Sequence, residues 1–171
     1  SLRLTLGDSV KRLNRNQPTV WIHALSLGEV TSSLPLVQAL RDTYPQSNIV
    51  FSAATKAWRE NAERLLKDTV KKIQPSSFIL VETDFWPNLL GCLKRAGVPS
   101  ILVNGRVSEK SISGYKRFSF FFLPMFQSFS KLCMQAKGDL DNMEQLGVPG
   151  SRLFHLGNLK FDMDTKPKSQ T

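Results

Sequence analysis

Glu29 stands directly after an apolar run, WIHALSL, and Gly28. A buried strand has no packing use for a carboxylate at its tip. Within reach of a hydroxyl the same group can take a proton as a general base, and Gly28 would let a ligand come close to the backbone. The plainer reading is an acidic residue in the first turn of a helix, where it complements the dipole. The residues alone leave both readings open. The segment ETDFWPN (82–88) is denser, with Glu82, Asp84, Trp86, a helix-opening proline and an asparagine close together. Glu82 reads as turned into a site or bonded to a neighbouring backbone turn. Asp84 can serve merely as a helix cap, and Trp86 can merely pack. In NGRVSEKS (104–111), Asn104, Arg106 and Ser108 adjoin a helix start. Arginine is a bidentate fork and helix N-termini attract anions, so this stretch suits a phosphate or a carboxylate. The alternative is an Arg106 paired with Glu109 on a solvated loop. Lys160, in GNLKFD (157–162), follows the last apolar run, where a lone lysine is usually surface decoration.

Only a particular fold can gather residues so widely spaced. Apolar runs at 19–27, 48–55, 78–83, 99–104, 131–135 and 152–158 alternate with helical patterns. The helical stretches include 58–72, a long amphipathic stretch from about 108 to 130, and segments that stop at Gly97 and Gly147. Ser32 or Ser33 is placed to cap the helix that follows the first run, with Pro35 in its first turn. Runs that are apolar on both faces and alternate with helices predict an α/β fold, a parallel sheet covered by helices on both faces. In such a sheet the polar residues after each strand share the carboxyl-end rim, where ligands bind in open α/β folds. That rim would hold Ser26, Gly28, Glu29, Glu82, Asn104, Arg106, Ser108, Gln135, Asn158 and Lys160 as candidate catalytic and binding residues.

The length suits one domain able to bury its own core. Residues 18–162 read as that domain, 1–17 as a lead-in and 163–171 as a linker or frayed end. Lys plus Arg number 23 against 14 Asp plus Glu, a net charge of +9, which favours anionic partners. Charge by itself does not choose among nucleic acid, an acidic membrane face and phosphorylated substrates. Cys92 and Cys133 form no C-x-x-C and no Cys/His cluster, so buried thiols are expected rather than a metal site. His23, inside the first apolar run, reads as a core histidine. Neither a G-x-G-x-x-G turn nor a phosphate loop is present. No run approaches the ~18 apolar residues of a membrane span. The opening SLRLTLGDSVKRLN is mixed polar and reads as the interior of a longer protein rather than as a signal peptide. The stretch YKRFSFFFLPMF (115–126) sets aromatics beside Lys116 and Arg117. It reads either as a core helix or as a patch that dips into a membrane interface, although Phe121 and Phe122 cannot both face the same side.

WIHALSLGEV, VETDFWPNLL, VNGRVSEKSISGY, the MQ pair at 134–135 and LGNLKFD occur in this order. Together they resemble the N-terminal half of 3-deoxy-D-manno-octulosonic acid (Kdo) transferases of lipid A biosynthesis, from about residue 18 to 162. The resemblance implies a Rossmann-like domain of the two-domain GT-B architecture, which receives the lipid A precursor while CMP-Kdo is held by a C-terminal domain absent here. It implies that Glu29 is the proton acceptor, that Glu82 and Lys160 stabilise the transition state, and that no cofactor or metal is needed. It also implies a location at the cytoplasmic face of the inner membrane, peripheral or anchored by a segment upstream of residue 1. Lys116, Arg117, Phe121 and Phe122 would then contact the anionic membrane surface.

The departures from that pattern are specific. A Thr-x-Thr-Gly turn is replaced by ATKAW (54–58), and Asn-Ala-Arg by Asn104-Gly105-Arg106. One further strand and an acidic turn are lacking between Lys67 and Thr69. Loss of an inner strand would leave a hole in the core, so a stretch left out is favoured over a true deletion. Two other functions compete with the leading one. The first is a sugar-nucleotide epimerase or another GT-B relative. The second is a non-enzymatic anion-binding module, for which nucleic acid fits poorly beside Glu29, Glu82 and Asp84.

Overall fold

The structure, a computed structural model, describes residues 13–53, 63–82 and 85–164. Six apolar runs form strands: β1 Thr19–Ala24, β2 Asn48–Ala53, β3 Ser77–Val81, β4 Ser100–Gly105, β5 Lys131–Met134 and β6 Leu153–His155. They pair in the order β2-β1-β3-β4-β5-β6, and every pair is parallel. This is the expected Rossmann-like parallel sheet. Between the strands lie α1 Leu27–Ser32, α2 Leu34–Thr43, α3 Glu63–Ile73, α4 Pro87–Arg95, α5 Glu109–Arg117, α6 Ser119–Phe126 and α7 Lys137–Leu146. The described chain ends in a 3-10 turn, Leu159–Asp164.

The chain steps from β1 to β2 in one direction and adds all later strands in the other. Because parallel crossovers are right-handed, α1 and α2 must cover one face of the sheet and the later helices the opposite face. Two separate apolar clusters record this. Ile22, Ala24, Ile79 and Val81 pack with Val30, Leu36, Val37 and Leu40 on one side. Trp21, Phe78, Leu80, Leu102, Leu132 and Met134 pack with Leu66, Ile73, Leu89, Leu93 and Met143 on the other. Each such large side chain, taken fully out of water, contributes roughly 1.5–3 kcal/mol. His23 is in the core as expected, with its Nδ1 2.8 Å from Ser52 Oγ and its ring edge-on to Trp86. Cys92 and Cys133 are both free and buried, and burial pushes the Cys133 thiol up from its ordinary value, with Lys131 opposing the shift.

Three expectations are corrected. The first strand ends at Ala24 rather than running to residue 27, because Ser26 opens a helix there. The long stretch 108–130 is two helices, α5 and α6, with a break at Phe118. Among the described residues the sheet is unbroken without the lacking strand. In doubly wound sheets the chain runs outward through a second and then a third strand before crossing to the first strand's other side. The lacking strand would be that outermost third one. Here β1 hydrogen-bonds to β2 on one side and β3 on the other, and α3 runs uninterrupted through residues 67–69. The replaced turn at 54–58, Asp84, the lead-in before residue 13 and the tail after 164 lie outside the described residues. Among the described residues no helix is long and apolar enough to cross a membrane.

Candidate active site at the carboxyl ends of the strands

Glu29 sits in the first turn of α1, and only 8% of it is exposed. Its Oε2 accepts the Leu25 backbone N–H at 2.6 Å, and its Oε1 accepts the Ser26 hydroxyl at 3.1 Å. The Glu29 N–H in turn donates to Ser26 Oγ at 3.2 Å. Ser26 thus caps the helix through the Glu29 N–H while the Glu29 carboxylate reaches back to the Leu25 N–H, and the plain helix-turn explanation of Glu29 holds. It does not exhaust the carboxylate. An ionised carboxylate offers about four acceptor sites, and two are used here. Gly28 is exposed, and a Cβ there would meet nothing closer than Ser26 Oγ at 3.8 Å. The fold therefore does not require glycine at this position; its absent side chain only leaves the turn open.

Glu82 follows β3, the neighbour of β1. Its backbone has φ 62°, in the left-handed region that costs a non-glycine residue roughly 1–2 kcal/mol. Asn104, at the end of adjacent β4, has φ 56° and is 3% exposed. Its side chain donates to Glu82 Oε1 at 3.2 Å and accepts the Leu159 N–H at 3.1 Å. Gln135 donates to the Asn104 carbonyl at 3.0 Å, and Asn158 donates to Gln135 Oε1 at 3.3 Å. Asn158 Oδ1 accepts the Lys160 N–H at 3.0 Å, and Lys160 Nζ lies 3.9 Å from Glu82 Oε1. These contacts close a ring: Glu82, Asn104, Gln135, Asn158, Lys160 and back to Glu82. Lys160 is more than half exposed, so this ion pair adds little to stability.

The same 3-10 turn that carries Lys160 packs against α1 and α2, the segment that carries Glu29. Glu29, Glu82 and Lys160 therefore occupy adjoining positions on one rim. Arg106, just past β4, shares that rim. It is exposed and makes no hydrogen bond or ion pair among the described residues, and the suggested pairing with Glu109 does not form. Its loop is held from below by Asp139, a residue that sequence reading missed. Asp139 accepts the N–H groups of Val107 at 2.8 Å and Ala136 at 3.0 Å, and Asn142 donates to the Val107 carbonyl at 3.1 Å. An acidic residue in the first turn of α7 was the available signal. Ser108 caps α5 by accepting the Ser111 N–H at 3.2 Å.

The aromatic stretch divides between core and surface. Phe126 is fully buried, and Phe122 packs on Tyr115 with ring centroids 4.6 Å apart. Phe118, Phe120 and Phe121 are 48%, 80% and 49% exposed. Burial pushes the Tyr115 phenol up from its ordinary value. Lys116 donates to Gln145 at 2.7 Å, and Arg117 lies over the Phe118 ring. Of the two phenylalanines singled out in the sequence, Phe121 is open to solvent and Phe122 is largely a core residue. Phe120, not singled out, is the most exposed of the group.

The sequence profile of a family described as 3-deoxy-D-manno-octulosonic-acid transferase (kdotransferase) matches residues 2–163. The chain belongs to this Kdo transferase family. A 3-deoxy-D-manno-octulosonic acid transferase of Haemophilus influenzae is 29% identical over 85% of the chain, which spans 38% of that relative. One from Chlamydia trachomatis serovar D is 29% identical over 94% of the chain and 41% of the relative. A bifunctional glycosyltransferase/methyltransferase of Fusobacterium nucleatum is 30% identical over 91% of the chain and 27% of its own length. The chain thus spans less than half the length of these Kdo transferase relatives. Among solved structures, a UDP-N-acetylglucosamine 2-epimerase from Listeria monocytogenes superposes with a TM-score of 0.65 at 10% identity, over 85% of the chain and 46% of the epimerase. That likeness shows the shared GT-B, Rossmann-like fold, and at such identity the fold alone.

Proposed function

We propose that this chain is the acceptor-binding half of a transferase that moves Kdo from CMP-Kdo to a lipid A precursor. In this reading an acceptor hydroxyl attacks the anomeric carbon of Kdo while the bond from that carbon to the CMP phosphate oxygen breaks. CMP leaves with the electron pair, the hydroxyl proton passes to Glu29, and the configuration inverts. Glu82 and Lys160 stabilise the charge that shifts between the Kdo carboxylate and the leaving phosphate; a fixed cation opposes such accumulation of negative charge. Arg106 holds a phosphate of the acceptor, for which an exposed guanidinium with no partner among the described residues is suited. Gly28 leaves room beside Glu29, and Ser26, Ser108, Gln135, Asn104 and Asn158 line or brace the same rim. CMP-Kdo is bound by a further domain of the full-length protein. The step balances without a cofactor or a metal ion.

The observation that carries this reading is the packing of the Lys160 turn both against Glu82 and against the helices that hold Glu29. The partner surface would be the anionic cytoplasmic face of the inner membrane, reached through Phe120 and Phe121 with Lys116 and Arg117 beside them. A nucleic acid is not proposed, because two of the rim side chains are carboxylates.

Glu29→Gln in the full-length protein tests the base. Gln keeps a side-chain carbonyl acceptor for the Leu25 N–H, so the turn should hold and the melting temperature should stay within a few degrees. Turnover with CMP-Kdo and a lipid A precursor should fall by about 10²-fold or more. Near-normal turnover removes Glu29 from the role of base.

A further inference from the structure

Both ends of the Asn104 side-chain amide and its main-chain carbonyl are engaged inside the protein. Its amide donates to Glu82, its side-chain oxygen accepts from Leu159, and its main-chain carbonyl accepts from Gln135. The first bond fixes a carboxylate and the second fixes the turn that carries Lys160. Asn104 therefore hydrogen-bonds both to the Glu82 side chain and to the backbone of the Lys160 turn. Its own backbone is bent into the left-handed region at the point where the β4–β5 register shifts. Asparagine tolerates that conformation better than most residues. It is also among the few that combine this tolerance with a donor and an acceptor on one short side chain.

We infer that Asn104 is a positioning residue: it sets the separation of Glu82 and Lys160 by gripping the carboxylate with one end of its amide and the lysine turn with the other. Gln135 and Asn158 extend the grip as the outer half of the ring. This rests on the reading of Glu82 and Lys160 as the charge-stabilising pair. Asn104 thereby acts through the groups that touch substrate instead of touching it.

The test is a double-mutant cycle on transfer by the full-length protein, with Asn104→Gly, Asn104→Asp, Glu82→Gln and the two doubles. Glycine accepts the φ of 56° without strain and removes both bonds. Aspartate keeps the acceptor for Leu159 but sets an anion against Glu82, so it serves even if the glycine variant folds poorly. Each Asn104 variant should lower kcat about 10- to 100-fold, the scale of loss when reacting groups are misplaced by about an ångström. The acceptor KM should stay within about threefold. In the Glu82→Gln background each Asn104 change should lower kcat much less than it does alone, because only the Lys160 turn is left for Asn104 to position. Losses that multiply in the doubles, a raised KM with unchanged kcat, or wild-type turnover of Asn104→Asp would each overturn the inference. If Glu82→Gln alone turns over normally, it is the role of Glu82 in the chemistry that fails.

Discussion

At the scale of single residues, Glu82 and Glu29 earn their places differently. Glu29 reaches back over the start of its own helix, so its presence has a local explanation and the proposed chemistry is an additional use. Glu82 has no such excuse. A glutamate at φ 62° is strained where glycine would not be, and strain of this kind gathers at functional sites. Glu82→Gly should therefore unfold no earlier than the parent, with a gain of up to ~1 kcal/mol from relief of the left-handed conformation, while transfer by the full-length protein falls at least tenfold. Thermal unfolding and turnover measured on the same preparation check this. A melting temperature lower by many degrees would mean that the carboxylate holds the turn together, and that its placement is structural.

At the scale of elements, the β4 terminus shows how packing and site are tied. A Cβ on Gly105 would lie 2.8 Å from Met134 Sδ and 2.9 Å from Leu102 Cδ2, and both side chains are fully buried. Alanine at this position, as the family resemblance implies elsewhere, needs a smaller or differently turned neighbour on β5. Gly105→Ala should cost about 1–3 kcal/mol from overpacking. Combined with Met134→Ala it should cost less than the sum of the two single changes by at least ~0.5 kcal/mol, because the added methyl fills part of the space the methionine vacates. Denaturant titration of the four proteins reads the coupling. Strict additivity would show that the two positions do not share that space. Because Gly105 lies between Asn104 and Arg106, a shifted β4 terminus would also disturb the ring.

At the scale of the whole molecule, the net charge of +9 and the exposed phenylalanines of α6 bear on where the protein works. Phe120→Ser with Phe121→Ser should weaken binding to anionic liposomes several-fold without loss of folding, since both rings are substantially exposed. Phe122→Ser should instead destabilise the domain, because that ring packs on Tyr115 and the core. Liposome flotation with circular dichroism on the same variants separates the two. Unchanged flotation of the double variant would remove α6 from the proposed membrane contact.

Much of this was legible in the sequence, for a physical reason. Short apolar runs that alternate with helices form the strands of a covered parallel sheet, and parallel strands put everything that follows them on one edge. Hence the α/β class, the rim, and the candidates Glu29, Glu82, Arg106 and Lys160 follow from local pattern. So does the core position of His23. Local pattern could not reveal which strands stand at the edges of the sheet, since edge and interior differ only in what lies beside them. Nor could it show the break at Phe118 that sends Phe122 inward and leaves Phe120 out, or the support that Asp139 gives to a loop far from it in the chain. The ring through Asn104 joins the ends of three strands and a terminal turn. Its bonds have meaning only when those ends meet, and the meeting is decided by the crossover directions and the packing of the sheet, which belong to the tertiary structure.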